Sequence, residues 1–172
     1  MLGAMGVMST SPEIWYQSNE VIAAVVGATV ALIFAVTYEW LKARRRRRAH
    51  LAALRAEMEM CRALAETYLR DEIKSPLYRL PTMAYTNSLP ELLGSAALDE
   101  TETRALLEFF NEVETLNRGL EHAQAMRAKG DENGMNEEVK RNIIKAGHLV
   151  PGQTYYHQAR SALDSRLRWY SL

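Results

Sequence analysis

The side chains best suited to metal binding or proton transfer near neutral pH are the four histidines, at positions 50, 122, 148 and 157. A metal site in a helical bundle typically uses a Glu-x-x-His or His-x-x-x-His pair, because these spacings place both ligands on one helix face. The residues three positions before the histidines are Arg47, Gly119, Lys145 and Thr154. Since no carboxylate is paired with a histidine, the spacing predicts neither a metal site nor a cofactor, and we expect the histidines at exposed positions or helix ends.

Nucleophilic catalysis has one candidate, Cys61, which is the single cysteine of the chain. Paired with a distant histidine it could attack a substrate, but its neighbours Met58 and Leu64 indicate a packed position instead. The chain has no Gly-x-Ser-x-Gly motif and no glycine-rich phosphate loop. Carboxylates at positions 108, 112 and 131 could meet in a cleft, although such residues usually form a solvated helix face. With no motif that specifies a reaction, we expect a protein that is not an enzyme.

The charged residues divide the chain into three unlike segments. Residues 1–41 contain no Lys or Arg, whereas residues 42–48 contain six of the 21 basic residues. The net charge of zero is therefore a sum over segments of different character. The composition, 48% hydrophobic and 24% charged over 172 residues, is typical of one folded domain.

Residues 21–38 form a run of 18 residues without a charge. A helix needs about 20 mostly apolar residues to cross a hydrocarbon core about 30 Å thick, so the run and its flanks suffice. Trp15 and Tyr16 precede the run, and Tyr38 and Trp40 lie at its end, as expected of rings at the two membrane interfaces. The pattern predicts a transmembrane helix over residues 20–41, preceded by a short extracytoplasmic tail of residues 1–19.

Two other interpretations fit this run less well. A cleaved signal peptide needs a basic N-terminal region, a shorter apolar stretch and a small-residue cleavage site, none of which is present. A buried core helix that is apolar on all sides and is followed by five arginines would be unusual in a small domain. An uncleaved membrane anchor is the favoured interpretation.

Six basic residues follow the run in a juxtamembrane segment, residues 42–50. They are Lys42, Arg44, Arg45, Arg46, Arg47 and Arg48. Because Lys and Arg beside a span are retained in the cytoplasm, they predict an N-terminus outside and a C-terminal domain inside, and they would contact anionic headgroups. A nucleic-acid patch and a localisation signal are alternatives. The segment has no interleaved aromatics and belongs to no recognised nucleic-acid-binding fold, so no nucleic acid is expected as a partner.

One face of the predicted span carries small residues at every fourth position. They are Ala23, Gly27, Ala31 and Ala35. Such a face lets two helix backbones approach closely, which predicts a dimer contact or a docking face for another membrane helix. The alternative is that Ala and Gly are simply common in membrane helices. Thr29 and Thr37 are the only polar residues in the run, so a transporter or a self-sufficient channel is disfavoured.

After residue 50, apolar residues spaced alternately three and four apart predict a helix that packs along one stripe. The stripe is Leu51, Leu54, Met58 and Cys61, continued by Ala65 and Tyr68. The charged residues between them are expected on a solvated face: Arg55, Glu57, Glu59, Arg62 and Glu66. The helix is expected to end near Lys74, because Pro76 disfavours helix at the residue before it.

Three further helices are predicted downstream of a proline-containing connector over residues 75–97. The connector contains a short capped helical turn that begins at Ser88. A long helix begins at Asp99, with Glu102 as its capping-box partner, and closes at Lys129-Gly130. Its stripe includes Leu106, Phe109, Val113 and Leu116. Shorter helices are expected over residues 136–148, with Val139, Ile143 and Ile144 inward, and over residues 153–170.

These patterns predict an all-α protein with one N-terminal transmembrane helix followed by a cytoplasmic bundle of about four helices in residues 51–172. Three heptad steps cannot separate an intermolecular coiled coil from a helix packed within the bundle, and the bundle is favoured. The layout resembles that of small bacterial membrane proteins with helical cytoplasmic domains. That resemblance implies the bacterial inner membrane, but no motif selects a family.

Function is expected to follow from interaction. The leading hypothesis is an accessory subunit or scaffold of a membrane assembly, whose partners are membrane lipids and either a second copy or other membrane subunits. A membrane-tethered toxic or defence effector that oligomerises to perturb the membrane is the alternative, and an enzyme with an unfamiliar site is a third hypothesis. Residues 166–170, which contain two arginines, a tryptophan and a tyrosine, could contact the inner leaflet or a partner, or pack as an ordinary helix end.

Overall fold

The computed structural model describes residues 13–71 and 79–171, and side chains within 19–70 and 79–170. These ranges contain five α-helices and no strand, so the all-α prediction is confirmed. The helices are α1 (Glu13–Asp71), α2 (Met83–Gly94), α3 (Glu100–Ala128), α4 (Glu132–Gly147) and α5 (Thr154–Ser171). The chain divides into two compact units, the first ending at Ala43 and the second beginning at Arg44.

The described part of the first unit is the N-terminal portion of α1, and every side chain from position 19 to position 42 is exposed. An 18-residue stretch of it has a mean hydropathy of 2.4 and is long and apolar enough to cross a membrane. The Thr29 and Thr37 hydroxyls donate to the carbonyls of Val25 and Ile33, at 2.8 and 2.7 Å. The two polar side chains of the stretch are therefore satisfied inside the helix, as an apolar environment requires.

The second unit is a helical bundle around one apolar core. Core residues come from every helix, with Leu51 and Leu54 from α1, Leu92 from α2, Phe109 and Phe110 from α3, Ala146 from α4, and Tyr156 and Leu163 from α5. The polar contacts between α1 and α5 show that these helices run antiparallel. Arg44 lies at Trp169, Arg55 pairs with Asp164 at 3.0 Å, and Glu59 accepts from Tyr156 at 3.0 Å.

The predicted start of a helical turn at Ser88 is wrong. Helix α2 begins five residues earlier, at Met83, and continues through Pro90 to Gly94. Ser88 lies inside the helix, is 5% exposed, and its hydroxyl is 3.1 Å from Nδ1 of His50 on α1. The Ser-Leu-Pro-Glu pattern is typical of a helix start, but tertiary contacts with α1 fix the start of α2 instead.

Glu57 was expected on a solvated face of α1, and this expectation is also wrong. Its side chain is buried, at 2% exposure, and its two oxygens accept the backbone N–H groups of Ala84 and Tyr85 at 2.6 and 2.8 Å. The first N–H groups of a helix have no partner within the helix, and Thr82 at the N-cap makes no side-chain bond to them. A carboxylate from another helix therefore caps α2, where the helix dipole also favours a negative charge.

The segment before α2 is held by two further contacts. Asn117 on α3 accepts from the N–H of Leu80 at 2.7 Å and donates to the carbonyl of the same residue at 2.9 Å. The Cys61 thiol donates to the carbonyl of Pro81 at 3.3 Å. Three backbone polar groups of Leu80 and Pro81 are thus bound by side chains of α1 and α3, which compensates for the absence of regular structure there.

Helices α3 and α4 follow the predictions with two corrections. The capping box of Asp99 and Glu102 is present. However, α4 begins at Glu132, four residues earlier than predicted, with Asp131 accepting from the N–H of Gly134. Ile144 points outward and is 68% exposed, whereas Asn142 is fully buried against Gly119 of α3. The end of α1 predicted near Lys74 lies outside the described residues.

We expect Glu57→Gln to lower the free energy of unfolding of the bundle by about 2 kcal/mol. A glutamine can accept only through its carbonyl oxygen and would turn an NH₂ group toward a backbone donor. Denaturant unfolding of the full chain in detergent micelles, followed by circular dichroism, measures the change. Glu66→Gln is the control, since Glu66 is 44% exposed on the same helix and should change stability by less than about 0.5 kcal/mol. Equal effects of the two changes would contradict the capping role.

Helix α2 ends in a Schellman motif whose left-handed residue is Ala96, at φ 48°, with Ala97 N–H bonded to Leu92 and Ala96 N–H to Leu93. Because glycine adopts this conformation without strain, Ala96→Gly should raise the unfolding free energy by about 0.5–1 kcal/mol. The same substitution at Ala52, an exposed position inside α1, should lower it by about 1 kcal/mol. Thermal unfolding of both variants checks the opposite signs, and a loss of stability in Ala96→Gly would refute the assignment.

Candidate interaction surfaces

The predicted helix-packing stripe is entirely interior to the second unit. Each of its eight residues is 0% exposed: Leu51, Leu54, Met58, Cys61, Leu106, Phe109, Val113 and Leu116. They pack against one another within one chain, with Phe109 and Phe110 edge to face at 5.3 Å between ring centroids. The stripe therefore builds the core of the bundle and presents no apolar seam to a second chain.

The four small residues predicted as a packing face, Ala23, Gly27, Ala31 and Ala35, lie in the exposed part of α1. A Cβ built on Gly27 would have no heavy atom within 4 Å outside its own helix backbone and chain neighbours. The space beside this glycine is open in the single chain. On the other side of the helix stand larger side chains such as Ile33, which is 59% exposed.

The basic residues lie on either side of the boundary between the two units. In the first unit, Lys42 pairs with Glu39 at 3.8 Å, and both side chains are largely exposed. In the second unit, Arg45, Arg46 and Arg48 are exposed, whereas Arg44 and Arg47 are half-buried. No acidic residue occurs between positions 40 and 56, so this part of the helix surface is strongly cationic.

The two arginines at the end of α5 have different environments. Arg166 is bound within the bundle: its Nε donates to both Glu102 oxygens at 2.7 Å, and its Nη2 lies 3.2 Å from Asp99. Arg168 and Trp169 are exposed. The N–H of Glu102 holds the pKa of Asp99 below its ordinary value, with a further contribution from Arg166, so the carboxylate of this pair stays ionised.

A polar network connects α1 to α5 near the middle of the bundle. Burial alone would raise the pKa of Glu59, but hydrogen bonds from Arg62 and Tyr156 outweigh it and lower the value. Burial, together with the bond to Glu59, raises the pKa of Tyr156. The Tyr156 phenol is the donor in this contact and remains protonated. The contact is therefore structural, since an activated base would need an ionised phenol.

Each histidine contacts a different element of the structure, as expected of histidines that are scattered along the sequence. His50 binds Ser88, His122 lies 3.9 Å from Glu138, His148 lies 3.3 Å from Glu112, and His157 accepts from the N–H of Gly152. Of the carboxylates that could have met in a cleft, Glu112 faces His148, whereas Asp131 caps α4. These two carboxylates therefore have different partners. Within residues 19–70 and 79–170 no three His, Cys, Asp or Glu side chains come together as a metal site would require.

A shallow groove of about 330 Å³ between α3 and α4 carries a mixed set of polar groups. Its lining includes Thr115, Arg118 and His122 of α3 and Glu138 and Lys145 of α4. Glu138 is 7% exposed and is paired with Arg141 at 3.2 Å. The groove has an acid, bases and a hydroxyl, but no pair of them is in the hydrogen-bond contact that a nucleophile and its base would need.

Cys61 is positioned as an inert thiol. Burial, reinforced by the negative charge of Glu57, raises the pKa of the Cys61 thiol to about 12. The thiol donates a hydrogen bond to the Pro81 carbonyl. A thiol must ionise to act as a nucleophile, so this one is unreactive near neutral pH.

The chain matches no protein-family model. Comparison with curated proteins and with solved structures likewise finds no similar chain. The surfaces described above are therefore the basis on which a function can be argued.

We expect Cys61 in the folded chain to react with iodoacetamide at pH 8 at least about 100-fold more slowly than an exposed cysteine, because both ionisation and access are suppressed. Ala63→Cys supplies the internal comparison, since position 63 is exposed two residues away on the same helix. Peptide mapping separates the two labelled sites. Similar rates at both positions would show that the thiol is accessible, whereas denaturant should make the rates equal.

Proposed function

We propose that this protein is a non-enzymatic, single-pass membrane protein that serves as an accessory subunit or scaffold of a membrane-associated assembly. Its N-terminus lies outside and its helical bundle lies in the cytoplasm, at the inner membrane of a bacterium. Its partners are membrane lipids and either a second copy of the chain or other membrane subunits.

The observation that carries the proposal is the contrast between the two units. The apolar stretch of α1 is 0% buried, while the apolar stripes of the second unit are fully buried among themselves. Large apolar residues such as Val21, Leu32 and Phe34 are 60–70% exposed, which water would strongly disfavour. A lipid environment removes this cost, and the length of the stretch suits a bilayer.

The arrangement of charge supports the orientation. Cations lie only on the C-terminal side of the apolar stretch, and residues 1–41 contain only three charged groups, all acidic. Retention of Lys and Arg in the cytoplasm then leaves the larger unit inside.

The small-residue face supports association within the membrane. Lipid chains are as apolar as leucine, so membrane helices associate through close packing and not through removal of apolar surface from water. Gly27 has open space beside it, and the alanines at positions 23, 31 and 35 leave the backbone accessible along the same face. A partner helix, from a second copy or another subunit, could approach this face closely.

Cross-linking of the full chain in native membranes, followed by purification in mild detergent, tests the proposal. We expect a defined complex, either with a second copy or with another chain at fixed stoichiometry. Ala31→Phe should reduce the complex at least fivefold, because the ring blocks the close approach. Ile33→Phe introduces the same ring on the opposite side of the helix and should leave the complex unchanged.

Two results would count against the proposal. Extraction of the intact chain by alkaline carbonate would show that it does not span the membrane. A strictly monomeric chain without associated protein, in membranes and in detergent, would exclude the role of subunit or scaffold.

A further inference from the structure

We propose that the end of α5 and the basic segment at the start of the second unit form one surface that binds the anionic phospholipid headgroups of the leaflet. The surface consists of Arg44, Arg45, Arg46, Arg48, Arg168 and Trp169, and is called the headgroup surface below. This inference rests on the proposed membrane insertion of residues 20–41. It adds a second membrane contact at Trp169, which lies 125 residues beyond Arg44 in sequence.

A direct contact joins the two parts of the headgroup surface. Nη2 of Arg44 donates to the backbone carbonyl of Trp169 at 3.4 Å. This carbonyl belongs to the last turn of α5, which ends at Ser171, so it has no partner within the helix. A cation is also favoured at a helix C-terminus by the helix dipole. The bundle therefore holds the end of α5 beside the first residue of the second unit.

Chain geometry places Arg44 close to the membrane. Arg44 follows Leu41, the last residue of the predicted span, by three positions, and three residues span at most about 11 Å even when fully extended. This limit holds for any arrangement of the two units. Since Trp169 contacts Arg44, the end of α5 also lies within reach of the interface.

The exposed side chains at this position are those that membrane interfaces favour. Trp169 is 59% exposed and stacks edge to face on Tyr170, at 4.7 Å between ring centroids. Tyr170 is 6% exposed and belongs to the core, so it fixes the indole at the surface. Tryptophan is enriched at the level of the headgroups, where its apolar ring and its N–H are both accommodated.

Charge complementarity selects an anionic lipid as the occupant. Within the second unit, the acidic residues nearest along the two helices are Glu57, which is buried as the cap of α2, and Asp164, which pairs with Arg55 and Arg160. Every charged side chain assigned to the headgroup surface is basic. A cluster of cations adjoining a membrane span is attracted to phosphatidylglycerol-type headgroups, with a range set by the ionic strength.

Tryptophan fluorescence in the full chain tests this inference, because the chain contains only three tryptophans. Trp15→Phe with Trp40→Phe leaves Trp169 as the reporter, and Trp15→Phe with Trp169→Phe leaves Trp40. Each protein is reconstituted into vesicles of phosphatidylcholine alone or mixed with phosphatidylglycerol, with lipids brominated near the headgroup end of the acyl chain as quenchers.

We expect Trp169 to be quenched at least twofold more strongly in the anionic vesicles than in phosphatidylcholine, and this difference to disappear in high salt. Combining Arg45→Gln, Arg46→Gln and Arg168→Gln should remove the difference. Lys140→Gln, at an exposed position on α4, should leave it unchanged.

The two reporters separate the possible failures. Quenching of Trp40 without quenching of Trp169 would overturn the headgroup surface and leave the membrane anchor intact. Absence of quenching for both would overturn the anchor and this inference together. Equal quenching of Trp169 in the two lipids would overturn the assignment to anionic headgroups.

Discussion

The constraint on which this protein depends is that no other described part of the chain covers the apolar surface of α1 between positions 21 and 38. Every side chain there is exposed, and the bundle has closed its own core without using any of them. Burial of apolar surface is the main favourable term in folding, so a helix of this composition requires another apolar environment. The bilayer that we propose would provide that environment, and the helical hydrogen bonding of the stretch, including its two threonines, suits it.

In the second unit the apolar core brings the helices together, and a few buried polar groups decide how the chain enters and leaves them. Glu57 fixes where α2 begins, Asn117 holds the backbone of Leu80, and Arg166 joins α5 to the capping box of α3. Glu57 and Asn117 bind backbone groups, and Arg166 binds the carboxylates of Glu102 and Asp99. Such contacts are directional, whereas apolar burial is not, so they specify one arrangement among the ways in which five amphipathic helices could pack.

The same bundle leaves few surfaces for a partner. Its heptad stripes are buried in the core, and its cysteine is buried and protonated. Each of its histidines contacts a different element. In the described parts of the chain, the small-residue face of the apolar helix and the cationic region shared by α1 and α5 stay accessible. Both surfaces suit association with a membrane or with another chain, which is the basis for proposing a subunit or scaffold over an enzyme.

The sequence by itself determined the helical class, the membrane-length stretch, the basic segment and most of the core, because these depend on periodicity and composition that are readable along the chain. It located the capping box of α3 through a local pattern. It failed at Glu57, Ser88 and Ile144, where the neighbour that decides the environment is distant in sequence. Only the tertiary structure brought Glu57 to the start of α2 and Arg44 to Trp169, because pairings between residues 27 and 125 positions apart are set by how the helices pack and not by any local preference.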